Sequence, residues 1–152
     1  MRRHDTVEVE VHSTTASIVT LRGEHDLDSA TRIASALKAA SVRRNVVVDL
    51  SQCTFLDSSV ISALLRASNT LHVHGGQILL VIPPGRHRAV RCVFEIMSVE
   101  RLMPMFETRA AAFSHVEAAL PASSAPTTMR LRALSEIIDQ SLVETDDHRR
   151  AA

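Results

Sequence analysis

The run Asp57-Ser58-Ser59 sets a carboxylate beside two hydroxyls. Such a run can cap a helix by accepting hydrogen bonds from free backbone N–H groups, offer a hydroxyl to a kinase, or supply a nucleophile. The nucleophile needs a base and a strained elbow. No Gly-x-Ser-x-Gly surrounds Ser58, and none of His25, His72, His74 and His87 stands at a spacing that ties it to the serine. The chain therefore reads as a binding protein and not as an enzyme. A phosphate on Ser58 is physically compatible with a helix start, where unpaired N–H groups and the positive end of the dipole favour an anion. Ser59 is a minor second acceptor whose default role is capping. Asp57 either caps the helix or orients the serine hydroxyl.

Other side chains with chemical potential are less well placed. Cys53 and Cys92 are too few for a disulfide framework and too far apart in sequence for a metal knuckle. They read as small reduced residues or, since Cys53 lies just before the serine pair, as a redox pair. The second reading needs Cα atoms within about 7 Å. His72-x-His74 lacks a third ligand, so neither a metal nor any other cofactor is expected. Arg86-His87-Arg88 with Arg91 either binds an anion near a helix start or forms a solvated face, and the balanced charge elsewhere favours the face.

The elements that must position the serines follow from periodicity. Asn45 to Leu50 is a β-branched run of the kind buried on both faces of a sheet, Ser51 to Leu56 reads as a short connection, and a helix from Asp57 to about Val73 carries Ile61, Leu64, Leu65 and Leu71 at helical spacing. Gly75-Gly76 stops it. Upstream, Val7, Val9 and Val11 alternate with polar residues as a half-buried strand, and Ala16 to Arg22 closes a hairpin ending at Gly23. Asp26 or Asp28 then caps a helix with Ala30, Ile33, Ala34 and Leu37 inward, lasting to about Ser41. Downstream come a strand at Gln77–Ile82, a helix from about Arg86 to Met97 with Ala89, Val90, Val93, Phe94 and Met97 inward, a short strand near Leu102–Phe106 interrupted by Pro104, and a helix at Thr108–Leu120 with Phe113, Val116 and Leu120 inward. Alternating strands and helices give an α/β domain with a mixed sheet, the first pair antiparallel.

These residues resemble the STAS domain of bacterial anti-sigma factor antagonists. That family carries a strand ending in Asp-Leu, a short loop with an aromatic or apolar residue, and Asp-Ser-Ser or Asp-Ser-Thr opening a helix. The matching residues are Asp49, Leu50, Phe55, Leu56, Asp57, Ser58 and Ser59. Arg22-Gly23-Glu24-His25-Asp26 looks like the family's Gly-Glu-hydrophobic-Asp turn. The likeness runs from about Val7 to Leu120. Val60 and Ser62 stand where family members have glycine, and His25 replaces an apolar residue.

The resemblance implies a STAS fold with a mixed sheet of about four to five strands. It implies phosphorylation of Ser58 by a partner kinase, and partner contacts at Glu24, Asp26, Asp57, Ser58, Ser59 and Val60. The unphosphorylated chain would bind an anti-sigma factor, a serine kinase of the histidine-kinase-like ATPase type, and so free a sigma factor; a PP2C-type phosphatase would reverse the modification. The alternative is a STAS adaptor or scaffold not controlled by phosphorylation, with redox regulation through Cys53 and Cys92.

Composition agrees with a binding module. The 152 residues are 45% apolar, enough for one core, and the formal net charge of zero gives nucleic acid or an acidic membrane no electrostatic attraction. There is no Trp or Tyr to stack on bases. No apolar run reaches the length of a bilayer span, so a cytoplasmic location is expected. Residues 1–120 read as the domain, 121–128 (PASSAPTT) as a linker, 129–145 as a C-terminal helix with Leu131, Leu134, Ile138 and Leu142 in a stripe, and 146–152 as a frayed tail. The stripe must cover something. Docking on its own domain is the commoner use, and a partner chain is the other.

Overall fold

The structure, a computed structural model, describes residues 5–85 and 88–119. The expected linker, C-terminal helix and tail lie outside the described residues, as do Arg86 and His87.

Strand β3 (Asn45–Leu56) is the spine of the fold. Its valines prefer extended backbone because two heavy atoms on Cβ restrict χ1, and strand alternation sends their side chains to opposite faces. Val46, Val48 and Leu50 pack in one core, while Val47 packs in a second. Both faces are thus covered, as continuous apolar runs require.

Around β3 the sheet has five strands in the order β1-β2-β3-β4-β5. Strand β1 (Thr6–Val11) is antiparallel to β2 (Ala16–His25), and β2, β3, β4 (Gln77–Val81) and β5 (Met105–Phe106) run parallel. The larger core lies under α1 (Leu27–Ala40), α2 (Ser58–Val73) and α3 (Arg88–Ile96), through Ile33, Leu37, Ile61, Leu64, Val90 and Phe94. The smaller core lies under α4 (Arg109–Ala119), through Ala112, Phe113 and Val116. Arg109 also ties α4 to the sheet. Its guanidinium donates to the Asp49 carboxylate at 2.5 Å and to Thr20 Oγ1 at 3.0 Å. Burial alone would raise the Asp49 carboxyl, but hydrogen bonds from Ser51 and the Arg109 cation hold it below its usual range.

The turn after α2 needs glycine for a steric reason. A Cβ on Gly76 would lie 1.8 Å from the Arg44 carbonyl oxygen, so this backbone approach admits no side chain.

Several expectations are corrected. Strand β3 does not end at Leu50, and β2 does not end at Arg22; they pair as far as Leu56 and His25. The register carries two irregularities, each adding one residue to β3: Thr20 and Arg22 face Asp49 and Gln52, and Gly23 and Glu24 face Cys53 and Phe55. Such bulges break the alternation that marks a strand in sequence. Val9 and Val11 are exposed, 42% and 65%, because only Val7 of β1 packs against the helix-covered core. Ala34 is exposed and Ala36 packs in its place. In α3, Ala89 and Met97 are exposed because the helix ends at Ile96 and turns Val90 and Phe94 inward. His72 lies in the last turn of α2 and His74 is its C-cap, so neither belongs to an extended segment.

Candidate functional site

The site is built where β2 and β3 end. His25 and Leu56 are the last paired residues of those strands, and the next residues, Asp26 and Asp57, are the N-caps of α1 and α2. One backbone hydrogen bond fastens the two turns, from the Asp57 N–H to the His25 carbonyl at 2.9 Å. The Gly23-Glu24-His25-Asp26 turn and the serine turn therefore form one surface. Gly23 has φ +85°, a left-handed conformation that glycine adopts without a Cβ clash, at the second strand irregularity.

Asp57 has extended backbone, φ −79° and ψ 156°, as an N-cap requires. Its Oδ1 accepts from the Ser59 N–H at 2.9 Å, from Ser59 Oγ at 3.0 Å and from Ser58 Oγ at 3.3 Å. The Ser59 N–H, then the two hydroxyls, keep this carboxyl below its usual range, so it is an anion throughout neutral pH. Ser59 is consumed by the cap. Ser58, at the first helical position, is exposed and its hydroxyl holds no backbone N–H of the helix.

Of the other expected contacts, Glu24 is partly buried on β2 and Asp26 is exposed, its Oδ1 accepting from the N–H groups of Asp28 and Ser29. Val60 is corrected. It is 0% exposed and belongs to the large core, because the third residue of α2 points back onto the sheet. Its side chain offers nothing to a partner.

The cysteines are not brought together as a surface pair. Cys53 is wholly buried on the helix-covered face of β3, with its thiol against the Phe55 carbonyl at 3.4 Å. Burial pushes that thiol up to about 11, which leaves almost no thiolate to react near neutral pH. Cys92 is exposed on α3, on the side turned away from Val90 and Phe94. Arg91 donates to the Ile82 carbonyl at 2.9 Å, so it braces the turn before α3. Among the described residues no group of three or more His, Cys, Asp or Glu side chains is arranged to hold a metal, and no helix is long and apolar enough to cross a membrane.

Sequence reasoning missed an apolar component. Leu27, at the first position of α1, is 69% exposed, and Phe55, just before the Asp57 turn, is 49% exposed. Strand alternation puts Phe55 on the same side as buried Cys53; the irregularity at Gly23/Glu24 turns it outward and puts Leu56 inward. No periodic signal carries that. Leu27 stands three residues before Ala30 and seven before Ala34, so helical spacing alone assigns it to the inward stripe, and its exposure comes from its place at the helix start, ahead of the packed turns.

Comparison with known proteins agrees with this geometry. No curated protein matches the sequence. Among solved structures, an anti-sigma factor antagonist from Mycobacterium paratuberculosis is 26% identical, with TM-score 0.65 over 75% of this chain and 95% of that one. The anti-sigma factor antagonist SpoIIAA in its unphosphorylated form is 20% identical, with TM-score 0.59 over 74% of this chain and 98% of that one. The Bacillus cell fate determinant SpoIIAA in its phosphorylated form gives the same identity and TM-score over 73% and 99%. The model of the STAS domain matches residues 6–112, which takes in every strand, both caps and the serine turn, and the chain accordingly belongs to the STAS domain family.

Proposed function

We propose that this protein is an anti-sigma factor antagonist that docks an anti-sigma factor on the surface around the starts of α1 and α2 and is switched off by phosphorylation of Ser58. One observation carries the reading. Asp57, assisted by Ser59, caps α2, so the exposed Ser58 hydroxyl is left over from the structural task. A serine needed as the cap would be a poor phosphate acceptor, since modification would remove the cap.

The physical consequence of a phosphate follows from its surroundings. About two negative charges would appear beside the Asp57 anion, three residues along the chain from the exposed Phe55. The positive end of the α2 dipole would stabilise that charge locally, so the fold changes little. A partner covering the start of α2 would have to bury the phosphate, and its affinity falls by desolvation and repulsion. The equal match of this chain to both forms of SpoIIAA is in keeping with a switch that alters the surface and spares the fold. The kinase would be the anti-sigma factor itself, of the histidine-kinase-like ATPase type, with a PP2C-type phosphatase reversing it. The adaptor alternative draws no support from the cysteines, given the burial of Cys53.

The test is capture of partners from source-cell lysate by wild type, Ser58→Ala and Ser58→Glu. A kinase-like anti-sigma factor should come down with the first two and be lost with Ser58→Glu. Equal capture by all three would reduce Ser58 to an ordinary helix residue.

A further inference from the structure

His25 stands where the STAS pattern has an apolar residue, and its ring is wholly buried at the end of β2. Two of its atoms are committed. The ring Nε2 lies 2.9 Å from the Arg22 carbonyl, which can only accept, so Nε2 carries the hydrogen and Nδ1 is the bare acceptor of the neutral ring. The backbone carbonyl of His25 receives the Asp57 N–H at 2.9 Å. Nδ1 is buried with no hydrogen-bond partner among the described residues. A buried polar atom without a partner is uncommon and destabilising, so its retention beneath a functional turn calls for a role.

The geometry points to His25 as an acid-sensitive latch under the serine turn: a proton on its imidazole loosens the paired ends of β2 and β3 and, with them, the capped start of α2. The proton comes from solvent and adds to Nδ1, giving a cation with two N–H donors where the packed site provides one acceptor. The charged groups facing the ring are Asp5 ahead of β1, Asp26 at the start of α1, and Arg32 on α1. The two carboxylates favour a cation, and Arg32 opposes it. Both carboxylates are already engaged. Asp5 accepts from Arg32 at 2.7 Å, and Asp26 accepts from two N–H groups of α1. On the β3 side the nearest carboxylate in sequence, Asp57, is turned to Ser58 and Ser59. Burial, the largest influence, disfavours the charged ring, in agreement with this arrangement.

The sign follows. The closed site keeps the ring neutral below the ordinary histidine value, while the opened site takes the proton at that value. The latch is therefore fully closed well above about pH 6.5 and is lost progressively as pH falls below it. That such opening would weaken partner docking rests on the reading of this surface given above; the latch itself does not.

The experiment is an NMR titration of the full chain from about pH 7.5 to about pH 5.5, following the His25 ring and the amide protection of Asp57 and Ser59 after correction for intrinsic exchange, in wild type and His25→Leu. In wild type, protection at those amides should fall by about tenfold across that range, which is the ratio set by an opened state that titrates and a closed state that does not. In His25→Leu it should stay flat. Protection that is unchanged in wild type, or that falls equally in both proteins, overturns the latch. The wild-type ring serves alone if the variant fails to fold: a ring that titrates at the ordinary histidine value while the amides keep their protection overturns it too. Failure of the docking reading is a separate result, since it would show as lysate capture indifferent to Ser58→Glu while the amide titration is unaffected.

Discussion

Helices α1 and α2 begin in nearly the same way and present different things to the outside. Each follows a strand of the same parallel pair, and each is capped by an aspartate whose Oδ1 accepts from first-turn N–H groups. Each places a serine after the cap to reinforce it. Ser29 is buried and its Oγ donates to the Asp26 carbonyl at 3.1 Å, while Ser59 is half-buried and its Oγ donates to the Asp57 carboxylate. The difference is at the first helical position, where α1 displays Leu27 and α2 displays Ser58. The cap makes that position expendable for stability, and it is therefore where a binding surface can be varied at little cost to the fold. Here one start supplies apolar contact and the other a modifiable hydroxyl.

The largest effects are expected where the two helices are anchored in the core. Ile33 of α1 and Ile61 of α2 are both fully buried in the same core. Ile33→Ala and Ile61→Ala should each lower the unfolding free energy by about 2–5 kcal/mol in urea titrations, reflecting lost transfer energy and a residual cavity. A loss confined to one would mean that the other helix start rests on something besides its packing. The caps come next. Asp26→Ala and Asp57→Ala should each lose about 0.5–2 kcal/mol, read by the same titration, as the first-turn N–H groups lose their acceptor. Loss at Asp57 alone would show that the two caps are not equivalent.

A pH series sharpens the second cap. The Asp57 carboxyl is held below its ordinary value by the Ser59 N–H, so its contribution is complete above the ordinary carboxylate range and is lost as pH falls through its lowered value. Asp57→Asn, which can still cap, should be slightly less stable than wild type near neutral pH, and the gap should close in acid; a gap that persists in acid would contradict the charge argument. The smallest effect is expected at the displayed residues. Leu27→Ala and Ser58→Ala should both stay within about 0.5 kcal/mol of wild type, since neither side chain is packed or caps anything. A larger loss at Ser58 would return it to a structural role.

The two starts also show what a sequence can disclose. Asp57-Ser58-Ser59 was legible because a cap is a local device, decided by residue type within one turn. The valines of β3 were legible because burial on both faces leaves a continuous apolar run. The second half of β3 was not, since Ser51–Leu56 is extended only by pairing with a strand far away in sequence and its alternation is broken by the irregularities. For the same reason Cys53 read as a loop thiol near the serines, whereas it is core. Val9 and Val11 had the right period for a strand, but period says nothing of whether a helix covers that stretch of the sheet. Val60 looked like a surface residue from its place after the serines, and only the direction of the helix axis buries it.

The irregular half of β3 has a consequence for insertions and deletions. In Asn45–Val48, where the register with β2 is regular, removing one residue would exchange the two faces of the strand and drive Asp49 into the apolar core under α1 and α2. At Thr54 the chain already holds one residue more than its partner strand, since Gly23 and Glu24 face Cys53 and Phe55. Loss of that residue would leave Cys53 and Leu56 inward and Phe55 outward. The strand that fixes the domain is thus intolerant of length change at its root and tolerant of it next to the serine turn, so the reach of that turn can be altered by single-residue length changes without recasting the core.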